Sequence, residues 1–301
     1  MLPNLTAKLN WDQIVALRSE RRALDTGFAA AREMLYIKDG PVGARAATAL
    51  PTPGANPPSQ RMDPLDTANT VRPRELDPIS APYIDYMDEM VFAKEEFDQL
   101  VVGGKIEEKV DECFDACYER ILSRLTEVFS NPETAAIAGV RGADNTLEPW
   151  ASATHSMLAG ADQSNLQTTP FALTVDNVRT AQTRLHNQMK LTREASFSQP
   201  RFLVSGDSGE LYRITQSELA SGAMDANRAR LLTPVHLPLM TDYWALLASP
   251  KEAGITLEFA AGREPWVSEP AEDRYKRISI VYGVKFAVLI PSFVGSYFCE
   301  I

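Results

Sequence analysis

The sequence predicts an α+β fold, in which helices and strands occupy different stretches of the chain. Apolar residues at three- and four-residue steps over 105–129 indicate a long amphipathic helix. Strict apolar alternation over 278–290 indicates a long strand near the end of the chain. The 301 residues, of which 45% are hydrophobic and 23% charged, suffice for one large domain or two modest ones.

Composition narrows the class of protein. No apolar run approaches the roughly 18 residues of a membrane helix, and the first residues lack the order of a secretion signal, so we expect no membrane partner. Three cysteines, Cys113, Cys117 and Cys299, are too few for a disulfide scaffold and favour a reducing cytoplasm. Three histidines are few for a metal or acid–base enzyme of this length, which favours a protein without catalysis.

The acidic charge is concentrated in one part of the chain. Residues 1–82 hold 10 Lys and Arg against 9 Asp and Glu, whereas residues 85–119 hold 12 acids against 3 lysines. Such a surface repels phosphates and disfavours a protein that reads DNA grooves. It is either a solvated helix face or an electrostatic partner for basic residues on another copy. The candidates for contact between copies are Arg61, Arg72 and Arg74 on one side and Glu107, Glu108, Asp111 and Glu112 on the other.

The first element is predicted to be a helix over 11–35 with Asn10 as its N-cap, and its interrupted apolar pattern requires support from another element. Residues 39–82 then carry proline and glycine at short intervals, which predicts an exposed arm or long loop. A flexible linker and an arm that docks onto a neighbour both fit this composition. Five scattered apolar residues favour the docking arm: Met62, Leu65, Val71, Leu76 and Ile79. We therefore expect residues 1–82 to gain structure on docking.

The helix predicted over 105–129 spans about 37 Å at 1.5 Å per residue, and we call it the spine helix. Cys113 and Cys117 lie one turn apart on its apolar side, where a core stripe is a better interpretation than a metal site. Its acidic side could hold a divalent cation, but a solvated face is again the simpler interpretation.

Further elements follow in the second half of the chain. Thr174 is a plausible N-cap for a helix whose buried stripe extends to Met189. A buried strand is predicted over 201–205, and helix-like segments over 216–230 and 241–248. A strand over 255–259 is expected to pair with the long strand over 278–290, which has one buried face.

The segment Gly206-Asp207-Ser208-Gly209 resembles the surroundings of the nucleophile in trypsin-like serine proteases. That chemistry also needs a histidine and two β-barrels, and neither His155 nor His186 leaves room for a barrel before Ser208. A turn is the preferred interpretation, with a cytoplasmic serine hydrolase using Ser208 as a minor alternative. His236, between two prolines, is interpreted as structural.

The order of these elements resembles that of the major capsid proteins of tailed bacteriophages, which have the Hong Kong 97-type fold. The resemblance lies in the proline-rich segment, the acidic spine helix, the helix and strand over 174–205, and the final strand with Tyr282-Gly283-Val284. It implies an N-terminal arm at 1–38, an extended loop at 39–90, a peripheral domain at 91–205 and 255–301, and an axial domain at 206–254.

The resemblance also implies a function. Pentamers and hexamers of the chain would form an icosahedral head that encloses double-stranded DNA without sequence-specific binding. No catalytic residue, cofactor or metal is expected. The implied partners are a portal protein, a possible decoration protein and, because the arm begins close to Met1, a separate scaffolding protein. The chain would be assembled in the host cytoplasm and located in the virion.

Alternatives remain open at this stage. An encapsulin-like compartment shell would use the same fold, whereas a tail or adaptor component would form rings or tubes. Lys38 lies near the arm rather than at the loop tip, so covalent cross-linking through a loop lysine is not expected.

Overall fold

The computed structural model describes residues 5–25, 28–49, 77–157, 162–189, 198–220 and 232–301. The helices in these ranges are α1 (Leu5–Asp25), α2 (Phe28–Glu33), α3 (Lys94–Val102), α4 (Ile106–Ser130), α5 (Val175–His186), α6 (Ser208–Ala220) and α7 (Pro250–Ala253). No helix in the described ranges combines the length and the apolar character that crossing a bilayer requires.

Fifteen strands lie in the same ranges and form two larger sheets and two small ones. The first eight are β1 (Tyr36–Asp39), β2 (Ala46–Ala49), β3 (Ile79–Pro82), β4 (Ile84–Ala93), β5 (Gly139–Arg141), β6 (Leu147–Pro149), β7 (Leu166–Gln167) and β8 (Phe202–Ser205). The others are β9 (Thr233–His236), β10 (Tyr243–Leu247), β11 (Thr256–Phe259), β12 (Trp266–Val267), β13 (Ala271–Glu272), β14 (Arg277–Leu289) and β15 (Ser296–Glu300). This mixture of helices and mostly antiparallel sheets confirms the predicted α+β class.

Helix α4 confirms the predicted spine helix to within one residue at each end. Its apolar stripe, which includes Val110, Phe114, Ile121 and Leu125, is fully buried in the largest core cluster. Cys113 and Cys117 lie in the same stripe, as predicted, and burial raises the pKa of both thiols to about 12.

The long strand β14 organises a six-stranded sheet. It pairs with β4 along one side and with β13, β12 and β11 in turn along the other, and β1 lies beyond β11. The pairing of β11 with β14 was predicted and is confirmed; it is antiparallel and sets Phe259 opposite Phe286. The prediction of a single buried face is correct for the first half of β14. The last residues of the strand are buried on both faces, because strands β2 and β3 cover the second face.

The N-terminal helix begins earlier than predicted. Helix α1 includes Asn10, which is therefore not its N-cap. The described helical residues resume at Phe28 in α2, and residues 26–27 lie outside the described residues.

Part of the predicted extended loop is ordered against its own chain. Strands β2 and β3 pair into a two-stranded β-ribbon that packs Ala47 and Ile79 onto Ala287 and Leu289 of β14. The expectation that residues 1–82 gain structure only on docking is therefore wrong for the described part of that segment. Residues 50–76, with four of the five apolar residues thought to dock, lie outside the described residues.

The five-stranded sheet has the order β7-β15-β10-β8-β9. Its strand β8 is buried as predicted, but the helix-like segment over 241–248 is the central strand β10, so that prediction was wrong. Trp244–Leu247 are buried on both faces, and periodicity does not distinguish such a run from a buried helix.

Helix α5 covers one of the two buried faces of this sheet. The Thr174 hydroxyl accepts the Asn177 N–H at 3.3 Å, which confirms Thr174 as the N-cap. Met189 lies beyond the helix end and is 44% exposed, so its assignment to the buried stripe was wrong. The sheet takes strands from both sides of the predicted boundary at residue 206, and the domain boundaries stay a prediction.

Candidate assembly surfaces

The N-terminal helix is bound to the acidic side of the spine helix within one chain. Arg18 forms ion pairs with Glu107 and with Asp111, the latter at 3.0 Å, and the Arg22 Nε donates to Asp115 at 2.7 Å. Its hydrogen bond to Glu107 raises the pKa of Arg18 above its ordinary value, which keeps the guanidinium charged. These contacts supply the support that the weak apolar pattern of α1 requires.

Aromatic packing continues the same contact. Trp11 is buried, the ring of Phe28 stacks on Tyr118 of the spine helix at 5.2 Å, and the Tyr118 hydroxyl donates to the Ser19 carbonyl. Apolar burial and ion pairs together hold α1 and α2 on the body, so the N-terminal segment completes the core of its own chain.

The structure gives the predicted contact residues different environments. Glu107 and Asp111 are engaged by Arg18, and Glu112 is paired with Lys109 of its own helix at 2.8 Å. Glu108 is exposed. Arg61, Arg72 and Arg74 lie outside the described residues, so the electrostatic contact between copies stays a prediction.

Several apolar residues that sequence reasoning did not single out are strongly exposed. Val42, in a turn before Gly43, is 93% exposed, Val102, the last residue of α3, is 90% exposed, and Met87 on β4 is 66% exposed. Valine and methionine side chains so open to water are candidates for burial against another protein.

Ser208 lies at the first residue of α6, where the Asp207 carboxylate accepts the Glu210 N–H at 3.0 Å. The motif is therefore a helix N-terminus that follows β8. His155 is bonded to Glu148, and His236 Nε2 lies 3.0 Å from the Gly206 carbonyl. In the part of the chain that the structure describes, no histidine is hydrogen-bonded to Ser208.

The acidic side of the spine helix was considered as a possible site for a divalent cation. Within the described ranges, no three His, Cys, Asp or Glu side chains converge as ligands.

Comparison with known proteins finds solved structures that share this architecture. No protein-family model and no curated protein sequence matches the chain. A phage-related protein from Bordetella bronchiseptica RB50 superposes with a TM-score of 0.51 at 13% identity, over 95% of this chain and 96% of that one. The capsid of an empty GTA particle superposes with a TM-score of 0.50 at 12% identity, over 90% and 95% of the two chains.

The chain has the Hong Kong 97-type capsid fold. A third structure similar to this chain is the holo-SrpI encapsulin complex from Synechococcus elongatus PCC 7942, with a TM-score of 0.50 at 9% identity over 93% and 88% of the two chains. The capsid fold predicted from the order of elements is thus confirmed. Identities this low show the fold alone, so residue roles must come from the chain itself.

Proposed function

We propose that this chain is the major capsid protein of a tailed phage. Copies assemble into pentamers and hexamers of an icosahedral head that encloses double-stranded DNA. The single observation that supports this proposal is the likeness of the chain, over at least 90% of its length, to a phage-related protein, a capsid and an encapsulin complex.

The domain assignment follows the same proposal. Residues 1–38 form the N-terminal arm, 39–90 the extended loop, 91–205 with 255–301 the peripheral domain, and 206–254 the axial domain. The β-ribbon of β2 and β3 is the base of the extended loop, and residues 50–76, which join its two strands in sequence, lie outside the described residues. A shell subunit needs segments that reach a neighbour, because repeated contacts between copies close the surface.

Electrostatic contacts between copies supplement apolar ones. Arg61, Arg72 and Arg74 of one copy approach the acidic spine of the next, where Glu108 and Glu112 are both exposed. Each exposed pair contributes a few tenths of a kcal/mol, roughly, but the contribution is repeated around the shell. Glu108→Gln with Glu112→Gln should lower the yield of shells, and an unchanged yield would remove this contact.

The inner surface encloses DNA without reading its sequence. An acidic chain, with a formal net charge of −10, does not bind phosphates tightly, so the packaged DNA does not adhere to the wall. The other partners are a scaffolding protein, a portal protein and, in some shells, a decoration protein. The mature location is the virion, after assembly in the host cytoplasm.

An encapsulin-like compartment shell is the second candidate, and the likeness to the encapsulin complex favours it. The two candidates differ in what the particle contains. Particles purified from the native host, treated with nuclease and then opened, should release protected double-stranded DNA if the chain is a phage capsid protein. Release of a folded protein cargo without DNA would establish the encapsulin alternative instead.

A further inference from the structure

A buried carboxylate joins the base of the extended loop to the body. Glu258 lies in β11 with its side chain 1% exposed, beneath the β-ribbon. Its Oε2 lies 2.7 Å from the Lys38 Nζ, and its Oε1 accepts the Tyr83 hydroxyl at 2.5 Å. We call Lys38, Tyr83 and Glu258 the Glu258 cluster.

The cluster draws its members from three neighbouring segments. Lys38 is directly opposite Glu258 in the parallel pairing of β1 with β11, and Tyr83 lies between β3 and β4. The Lys38 Nζ also donates to the Thr48 carbonyl of β2 at 3.3 Å. Both strands of the β-ribbon are therefore linked to one carboxylate, β2 through Lys38 and β3 through Tyr83.

The backbone beside the cluster is fitted to it. A Cβ at Gly40 would lie 2.1 Å from the Tyr83 hydroxyl and 2.7 Å from Glu258 Oε1, so a side chain there would displace the hydrogen bond. Burial and the hydrogen bond to Glu258 raise the pKa of Tyr83 to about 12.

The apolar contact between the β-ribbon and the sheet buries little surface. Ala47, Ala49 and Ile79 meet Ala287 and Leu289, and alanine side chains bury little apolar area. A carboxylate buried to this degree is stable only while its charge is paired. The orientation of the β-ribbon on the sheet thus depends strongly on the polar cluster.

We propose that the Glu258 cluster fixes the direction in which the extended loop leaves the body. Loss of the Lys38 charge lets water reach Glu258 by lifting the β-ribbon, while the sheet beneath stays folded. The consequence for shells rests on the proposed function, because there the loop direction decides whether neighbouring copies meet. The local consequence for the β-ribbon does not depend on it.

Hydrogen exchange followed by mass spectrometry tests the local claim. In Lys38→Met, peptides covering residues 46–49 and 79–83 should exchange about tenfold faster or more, while peptides covering β10 keep the wild-type rate. The double variant Lys38→Met with Glu258→Gln should restore much of the protection, because the amide still accepts the Tyr83 hydroxyl without carrying a charge.

Lys285→Met is the matched control. Lys285 and Lys38 are 32% and 34% exposed, and each pairs with a carboxylate, at 2.8 Å and 2.7 Å. The partner of Lys285 is Asp85, which is 63% exposed, so removal of that lysine should leave exchange of the β-ribbon within about twofold of wild type. Equal exchange in Lys38→Met and wild type would overturn the proposal.

Two further outcomes are decisive. If all peptides of Lys38→Met exchange faster, the variant Tyr83→Phe, which removes a single hydroxyl, is tested instead. Faster exchange of Tyr83→Phe that is confined to the β-ribbon supports the proposal. Unchanged exchange in that variant overturns the proposal. If wild type forms no shells, the proposed function fails while the exchange result still stands. If wild type forms shells and Lys38→Met loosens the β-ribbon yet forms the same shells, the direction-setting role fails alone.

Discussion

The imidazole of His155 lies parallel to the ring of Phe293, with centroids 3.9 Å apart and planes inclined by 3°. Its Nδ1 lies 2.9 Å from a Glu148 carboxylate oxygen, and its Nε2 lies 2.9 Å from the Asn165 side-chain oxygen. That oxygen also accepts the Ser152 backbone N–H, which fixes the orientation of the amide. Both ring nitrogens therefore face oxygen atoms at hydrogen-bond distance, and the ring is fully buried.

Replacing this ring should destabilise the fold. His155→Ala removes one hydrogen-bond partner from Glu148 and one from Asn165 and opens a cavity beside Phe293, so we expect the free energy of unfolding to fall by about 2–4 kcal/mol. Urea unfolding measures the loss. His186→Ala, at a half-buried position near the end of α5, should cost less than about 1 kcal/mol. Equal losses in the two variants would contradict this account of His155.

The same cluster predicts a pH dependence. Burial alone would raise the pKa of Glu148, but hydrogen bonds from His155 and Ser156 bring it below its ordinary value of 4.5. A carboxyl whose pKa is lower in the folded state adds stability above its unfolded pKa, and that stability is lost as the pH falls through the folded pKa. The stability advantage of wild type over Glu148→Gln should be full above about pH 5 and shrink on further acidification. An advantage that stays constant down to about pH 3 would contradict it.

The ion pair between α1 and the spine helix should be measurable. A double-mutant cycle with Arg18→Met and Asp111→Asn should give a coupling of about 1 kcal/mol, because both side chains are largely shielded, at 22% and 18% exposed. The exposed pair of Arg179 and Asp176, 3.6 Å apart, is the control and should give a coupling near zero. Similar couplings in both cycles would show that shielding does not strengthen the contact.

Gly283 should tolerate no side chain. A Cβ there would lie 2.4 Å from the Tyr86 carbonyl oxygen of the paired strand β4. Gly283→Ala must move one strand away from the other, which should lower the free energy of unfolding by about 1–3 kcal/mol in thermal or urea unfolding. At Gly209 the nearest atom to such a Cβ is 3.5 Å away, so Gly209→Ala is the control and should be close to neutral. A neutral Gly283→Ala would contradict the close approach.

Deleting residues 50–76 and joining Ala49 to Asp77 by a short glycine–serine turn should leave the body folded. The β-ribbon and the sheets keep all their described contacts, so circular dichroism and unfolding should resemble wild type. Closed particles should be lost, because the outer part of the extended loop is missing. Collapse of the fold on this deletion would show that these residues also stabilise the body.

Long periodic patterns made two elements predictable. The spine helix has one buried side over 25 residues, and buried and less buried residues alternate in the first half of β14, so both patterns are long enough to stand out from the local composition. Strand β10 was assigned wrongly because both of its faces are buried, which removes the alternation. Strand β4 was missed because its outer face is acidic and exposed.

Long-range polar contacts could not be predicted from sequence. Tyr83 and Glu258 are separated by 175 residues, and no local pattern signals their hydrogen bond. The acidic side of the spine helix was recognised, but its first partner is Arg18 of the same chain rather than another copy. The register of the sheets decides such pairs, and it becomes known only with the fold.

Electron microscopy of the full chain, purified alone and with the proposed scaffolding protein, tests the central claim most directly. We predict closed icosahedral particles of uniform diameter from the full chain, and none from the chain that lacks residues 50–76. Rings, open tubes or monomers in every preparation of the full chain would contradict the assignment as a shell subunit.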